Sequence, residues 1–450
     1  MAVLIAAADP HRLEVRPGPP LGGTFRAPGD KSVTHRAILV GLIARGASLI
    51  EDPNPGQDCL DTLSCACSLG LEARSSGGRL ELEGRGFSLR EPDQVLDCGN
   101  SGTTLRLLSG ILAGQPFLSV LSGDASLNRR PVARVIEPLR SMGARLFARE
   151  NDRLPPLVIQ GGPLTPIDYT LPVASAQVAS AVLLAGLQAR GTTSVAVPGA
   201  ARDHTERLLE AAGVPVEVEP LAGGGRRTSV CGPATVTPIR IRVPGDFSAA
   251  AFFLAAAAAG GGTVTALGLG LNPTRTGLLD VLERMGAEIV RSAPRVESGE
   301  PVGDVTVRGG DRLVGFDVPP EWLPRLIDEV PAWAVAAATA RGRSRLTGAG
   351  ELRVKESDRI AALARNLSRV GVAARELPDG LEIEGGVVAG GTVGAEHDHR
   401  IAMAFAVLGT LARAKVVVEE AAGIATSFPG FAASLTALGG RVAPAPEPAS

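Results

Sequence analysis

Lysine is almost missing from this 450-residue chain: of 45 basic residues only Lys31, Lys355 and Lys415 are lysine, and positive charge is otherwise arginine. Lysine carries a compact ammonium with three rotatable donors, whereas arginine is a planar, permanent fork, so a chain this sparing keeps lysine where the ammonium itself matters. Aromatic residues make up 3% of the chain, too few for base-stacking platforms, and a formal net charge of -2 leaves no basic excess for a nucleic acid. Any cationic site must be made by local placement. The five cysteines, Cys59, Cys65, Cys67, Cys98 and Cys231, are odd in number and form no CxxC pair. That argues against a disulfide framework or a zinc ribbon and fits a reducing cytoplasm. The longest apolar run, near Phe247 to Ala259, is too short to span a bilayer. Met1 to Ala8 precede Asp9 without a basic leader, so no signal peptide is expected and the chain reads as soluble and cytoplasmic.

What is abundant is small and apolar. Ala, Gly, Val, Leu and Pro dominate, which suits close packing of helices on sheet and not a disordered chain. A unit repeats six times. One half is a helix that ends in glycine and leads into a β-prone run, as in Val135 to Phe147 and Leu278 to Val290. The closing glycines are Gly70, Gly143, Gly213, Gly286, Gly371 and Gly439, each at the left-handed position that terminates a helix. The other half is a helix of small apolar residues followed by a β-branched strand, as in Ala37 to Ile50 and Ala179 to Val197. Helices apolar all round belong inside a domain with sheets around them. Breaks rich in Gly and Pro are read near Gly18 to Pro28, Leu221 to Arg227, Val243 to Asp246 and Ser292 to Pro301. The break at Val243 divides the repeats into two groups of three. The tail Ala443 to Ser450 reads as unordered.

Unusual polar residues gather where the first helix of each repeat begins: Gly29-Asp30-Lys31-Ser32, Gly99 to Thr104, Ala174-Ser175-Ala176-Gln177, Gly245 to Ser248, Asp328 to Pro331, and Asp398-His399-Arg400. Such residues cap helix N-termini, which present free N–H groups and partial positive charge to an anion. Arg36, Arg106, Arg130, Arg202, Lys355, Arg359 and Arg400 lie in or beside these segments and the loops around them. Arginine grips carboxylate and phosphate bidentately. A small, highly anionic ligand is the expectation.

These motifs carry a resemblance. GDKSVTHRA at 29–37, GNSGTTLR at 99–106, RRPVARV at 129–135, SAQ at 175–177, RDHTE at 202–206, NPTR at 272–275, ELRVKESDR at 351–359 and DHRIAMAF at 398–405 together resemble the 5-enolpyruvylshikimate-3-phosphate synthase family over nearly the whole length. The resemblance implies an α/β fold of two similar domains, each with three βαβαββ repeats around buried parallel helices, an inside-out α/β barrel with its active site in the interdomain cleft. One domain would be residues 1–27 with 246–450, the other 28–245. It implies transfer of the enolpyruvyl group of phosphoenolpyruvate to the 5-hydroxyl of shikimate 3-phosphate, with no cofactor, no metal, no nucleic-acid or membrane partner, and a monomeric state. Lys31, Ser32, Arg36, Ser175, Ala176, Gln177, Arg202, Asp328 and Lys355 match positions that hold shikimate 3-phosphate. Lys31, Gly102, Arg130, Gln177, Arg359 and Arg400 match positions on the phosphoenolpyruvate side. Asp328 is the expected base at the hydroxyl, and Lys31 and Glu356 are both candidates for delivering the proton to C3.

The chain departs from the family pattern in places. Thr426-Ser427-Phe428-Pro429 lacks the lysine that many members carry near this Phe-Pro, and Ala179 stands where some relatives have lysine. Gly102 occupies a position that is alanine in some glyphosate-tolerant relatives, so glyphosate is expected to compete with phosphoenolpyruvate. Three other readings fit the sequence less well. The sister transferase acting on UDP-N-acetylglucosamine usually has a cysteine in the loop that here runs Asp124 to Pro131 without one. A non-catalytic phosphometabolite-binding protein would have the cations, but Asp328 and Glu356 beside bound anions would only repel. A metal at His397-Asp398-His399 has no second ligand cluster.

Overall fold

The structure, a computed structural model, describes residues 11–310 and 312–446. The leader reading at Met1 to Ala8 and the end of the tail, 447–450, lie outside these residues. The described chain divides into two compact units, one of residues 29–243 and 296–300, the other of residues 11–28, 244–295 and 301–446.

The first unit holds helices α1 (Lys31–Ile43), α2 (Gln57–Ser68), α3 (Gly102–Ala113), α4 (Ala133–Ser141), α5 (Ala176–Gly186) and α6 (His204–Ala211). The second holds α7 (Phe247–Gly260), α8 (Gly277–Met285), α9 (Val330–Thr339), α10 (Arg359–Arg369), α11 (His399–Gly409) and α12 (Phe431–Ala437). Odd-numbered helices are buried all round; in α7 every residue from Phe247 to Ala258 is buried. Each repeat contributes a four-stranded sheet that covers this helical centre. In the first repeat the sheet runs Arg240–Arg242, Arg45–Glu51, Arg79–Arg85, Glu72–Ser76, with the first pair parallel and the other two antiparallel. Arg79–Arg85 alternates strictly between exposed and buried residues, the pattern of a sheet with one face on the core and one in water. Helices inside and sheets outside make each unit an inside-out α/β barrel.

Two local features set this packing. The six closing glycines all lie at positive φ, between 77° and 106°, where a side chain would strain the backbone. In the first unit, a Cβ at Gly110 would lie 2.1 Å from the Ala181 carbonyl oxygen, so α3 and α5 meet backbone to backbone.

Two expectations are corrected. Ser292 to Pro301 is not a break: Glu288–Glu297 and Glu300–Arg308 are neighbouring strands, joined through Ser298 and Gly299 at positive φ. Pro294 is tolerated because Glu288–Glu297 is an edge strand, where a missing N–H costs no ladder bond. The tail is ordered through its described residues, since Arg441–Pro444 pairs antiparallel with Leu13–Arg16 and the Ala445 N–H donates to the Arg12 carbonyl. Backbone pairing there outweighs the proline-rich composition.

Candidate active site

In the first unit, α1 begins at Lys31 because Asp30 caps it, accepting from the Val33 N–H at 2.9 Å. The Lys31 ammonium sits 2.7 Å from Asp58 Oδ2 near the start of α2. One turn on, Arg36 is buried and donates through Nε to Thr205 Oγ1 at 2.7 Å, through Nη2 to Ser180 Oγ at 3.1 Å and through Nη1 to the Ser32 carbonyl at 3.0 Å. These bonds bring α1, α5 and α6 together at their N-terminal ends. Arg202 Nη1 donates to Ser32 Oγ at 3.3 Å. Its loop is held by Arg226, which donates to the Ala201 and Arg202 carbonyls at 2.6 and 2.8 Å and to Glu206.

Beside them, Ser101 caps α3 and Ser175 caps α5, leaving Ala176 as the first residue of α5. Gln177 is fixed at both ends of its amide: Oε1 accepts from Arg106 Nη1 at 2.9 Å, and Nε2 donates to Thr103 Oγ1 at 2.9 Å. Arg130 donates to Asn100 Oδ1 and Ser126 Oγ, at 2.5 and 3.1 Å. Gly102 lies beneath two guanidiniums, since a Cβ there would be 2.6 Å from Arg106 Nη1 and 3.6 Å from Arg130 Nη1. Lys31, Ser32, Arg36, Gly102, Arg130, Ser175, Gln177 and Arg202 therefore all occupy the helix starts of one unit or the loops joined to them.

The second unit gathers the remaining candidates around Asp328. Its carboxylate lies 3.6 Å from Lys355 Nζ and 3.5 Å from Arg359 Nη1, and its carbonyl accepts from Arg400 Nη1 at 2.7 Å. Arg359 is 1% exposed and donates to Asp398 at 2.8 and 3.3 Å and to Glu356 at 2.6 Å. Burial opposes its charge, but Asp398, Glu356 and Asp328 outweigh burial and hold its pKa above the usual arginine value. Asp328 is not a helix cap. The start of α9 has no side-chain cap, and Pro331 removes one N–H that would need one.

The partnerships of several residues here escaped the sequence reading. Asp398 is the chief partner of Arg359 as well as the cap of α11. Glu329 is buried and accepts from Ser248 Oγ, which also accepts from Arg275 Nη2 at 2.8 Å. Asp58 and Arg226 were missed, and Asn100 was read only as part of a helix start, for the same reason: each is defined by a partner distant in sequence. Nothing in the structure explains the absence of a lysine near Thr426. Thr426 Oγ1 donates to the Gly423 carbonyl at 2.8 Å, and Phe428 packs with Phe253 and Phe431 at ring distances of 5.9 and 5.6 Å, so the turn is shaped by its aromatic core. At His397-Asp398-His399 the side chains separate. His397 is 78% exposed, whereas Asp398 is spent on Arg359. No group of three or more His, Cys, Asp or Glu among the described residues is placed to hold a metal.

An inside-out α/β fold with arginine, lysine and carboxylate drawn to its helix starts defines the class of enzymes that handle several negative charges during group transfer. The family model for EPSP synthase (3-phosphoshikimate 1-carboxyvinyltransferase) matches residues 15–435. The chain is 50% identical over 415 residues to the 3-phosphoshikimate 1-carboxyvinyltransferase of Pelotomaculum thermopropionicum, covering 91% of this chain and 95% of that one. It is also 50% identical to the enzyme of that name from Thermus thermophilus, covering 93% and 97%. The solved structure of EPSP synthase from Acinetobacter baumannii superposes with a TM-score of 0.84 at 41% identity, over 96% of this chain and 99% of that one. The chain belongs to the EPSP synthase family.

Proposed function

We propose that this protein transfers the enolpyruvyl group of phosphoenolpyruvate to the 5-hydroxyl of shikimate 3-phosphate and releases inorganic phosphate. The hydroxyl oxygen adds to C2 of phosphoenolpyruvate while C3 gains a proton. The tetrahedral adduct then loses that C3 proton and expels phosphate, leaving the enol ether. The observation that carries the reading is Asp328 flanked by Lys355 and Arg359 at 3.6 and 3.5 Å, a charge-compensated carboxylate suited to take the hydroxyl proton. Ser32, Ser175, Ala176, Gln177, Arg202 and Lys355 hold shikimate 3-phosphate, and Arg36 supports them by fixing Ser32 and Ser180. Arg130, Arg359 and Arg400, with Lys31, Gln177 and the turn at Gly102, hold phosphoenolpyruvate.

Between the two candidates for the C3 proton, the pairings favour Lys31. Its ammonium carries a transferable proton beside Asp58 at 2.7 Å, whereas Glu356 is tied to Arg359 at 2.6 Å and serves to orient that guanidinium. The paired state of Asp328 and Glu356 also revises the argument from repulsion, because each carboxylate has a structural partner before any substrate binds.

The enzyme acts without a cofactor, as a monomer, in a reducing cytoplasm that suits its free cysteines. Among the described residues no helix is long and apolar enough to cross a membrane. The test is phosphate release from phosphoenolpyruvate and shikimate 3-phosphate without added metal. Release that requires UDP-N-acetylglucosamine instead would overturn the substrate, and full activity in Asp328→Asn would overturn the base.

A further inference from the structure

A buried hydrogen-bonded chain in the first unit joins three helices that the site uses. His35 in α1 is fully buried, and its Nδ1 lies 2.6 Å from Thr62 Oγ1 in α2. Thr62 Oγ1 lies 2.5 Å from Thr104 Oγ1 in α3. Thr104 Oγ1 donates to Ser101 Oγ at 2.7 Å, and Ser101 caps α3 by accepting from the Thr104 N–H at 3.1 Å. All four side chains are buried among the leucines and isoleucines of the unit's core.

The order of hydrogens follows from the far end. His35 Nε2 is buried with no hydrogen-bond partner among the described residues. A bare lone pair there costs less than an N–H with nothing to accept it, so the proton sits on Nδ1. His35 then donates to Thr62, and Thr104 donates to Ser101. The Thr62 hydroxyl has two acceptors in reach, the Asp58 carbonyl at 3.2 Å and Thr104 Oγ1 at 2.5 Å, and because the Thr104 hydrogen is spent on Ser101, the nearer contact takes the Thr62 hydrogen. Burial, with Lys31 and Arg36 nearby, holds the imidazole pKa well below its usual value, so the ring stays neutral and this order is kept.

The chain's position gives it a task. Lys31 and His35 are one turn apart on α1, and Asp58 and Thr62 are one turn apart on α2. The pairs Lys31 with Asp58 and His35 with Thr62 therefore fix the two helices to each other twice, at successive turns. The link from Thr62 to Thr104 and Ser101 extends that fixing to the start of α3, where Gly102 and Thr103 sit. Apolar side chains of the same shape would fill this space without the cost of burying four polar groups.

We propose that His35, Thr62 and Thr104 are positioning residues for phosphoenolpyruvate, setting the start of α3 relative to the Lys31 ammonium. The proposal rests on the reading that Lys31 and Gly102 serve phosphoenolpyruvate. Thr62→Val and Thr104→Val keep shape and remove the hydroxyl. Each should raise the KM for phosphoenolpyruvate about tenfold while kcat and the KM for shikimate 3-phosphate stay within about twofold. The double variant should be no worse than the poorer single one, because one break disconnects the chain, and Thr104→Ser should restore the KM. A fall in Tm with an unmoved KM for phosphoenolpyruvate, or an equal rise in both KM values, would overturn the proposal. Lys31→Met and Gly102→Ala test the underlying reading separately. If they leave the KM for phosphoenolpyruvate unmoved, the ligand assignment falls and the proposal with it; if they raise it and the valine variants do not, only the chain's role falls.

Discussion

Replacing Arg359 with methionine should be the most costly single change at the second unit's site. Arg359 is 1% exposed and Asp398 fully buried, joined by two bonds of 2.8 and 3.3 Å, with Glu356 at 2.6 Å and Asp328 at 3.5 Å on the same guanidinium. Methionine fills much of the volume of the side chain but leaves a buried carboxylate without its cation, a loss of about 3–5 kcal/mol. For a unit of this size each kcal/mol moves the midpoint by about 2–4 °C, so the second unit's transition should fall by about 6–20 °C. Calorimetry on the substrate-free protein measures it. The sharper test is a double-mutant cycle with Asp398→Asn, which keeps the cap on α11 while removing the charge. If the unpaired carboxylate is the cause, adding Asp398→Asn to Arg359→Met should recover about 1–3 kcal/mol. A fall of less than about 3 °C in Arg359→Met, or strict additivity in the cycle, would refute the reasoning.

Asp61 lies half-buried near Asp58, Asp97 and Asp124, and burial is the main cause that pushes its pKa up to about 6. A raised carboxylate pKa stabilises the fold below the unfolded value and loses that contribution as pH rises through about 6. Asp61→Asn should therefore be more stable than the parent by about 1–2 kcal/mol at pH 8 after allowance for solvent screening, with the difference vanishing below about pH 4 in pH-dependent melting. Gly102→Ala places a Cβ 2.6 Å from Arg106 Nη1; the side chain can yield, so stability should drop by about 1 kcal/mol or less while the KM for phosphoenolpyruvate rises, because Arg106 also holds Gln177. Glyphosate should raise the apparent KM for phosphoenolpyruvate without lowering the maximal rate, and unchanged turnover at millimolar glyphosate would refute competition. Lys31→Arg keeps the charge but not a readily transferable proton, so kcat should fall by about 10²-fold or more with a smaller change in KM; retained kcat would mean that charge alone suffices.

The repeat was legible because it is written in local chemistry. A glycine at the left-handed close of a helix and an Asp or Ser cap at the start of the next are demanded by the backbone itself, so Gly143 or Asp246 can be recognised without knowing what they touch. The strand continuations missed in the Ser292 to Pro301 stretch and at Ala443 and Pro444 show the limit of that reading. Proline and glycine mark turns by local preference, but an edge strand tolerates Pro294, and a pairing with Leu13–Arg16, more than 400 residues away, decides the other.

Partnerships among charged groups follow the same divide. The sequence points to Arg359 and Lys31 as cations, the first by its motif and the second by the rarity of its residue type, yet it offers Asp398 only as a helix cap and says nothing of Asp58, whose partner is known only through contact. This alters how a site should be read from composition. Counting Asp328 and Glu356 against bound anions treats each carboxylate as a lone charge, whereas Asp328 already faces Lys355 and Arg359 from a distant segment and Glu356 faces Arg359 one turn on. On the proposed ligand assignment, the free charge presented to substrate is therefore smaller than the eight arginines and lysines at the helix starts imply. On the same assignment we propose that selectivity comes from which pairs a substrate can loosen: Lys31 from Asp58, or Lys355 from Asp328 at 3.6 Å, before the fully buried Arg359 from Asp398. The same ordering explains why lysine is retained at 31 and 355, where a flexible ammonium can exchange partners, and arginine at 359, where a rigid fork holds its own.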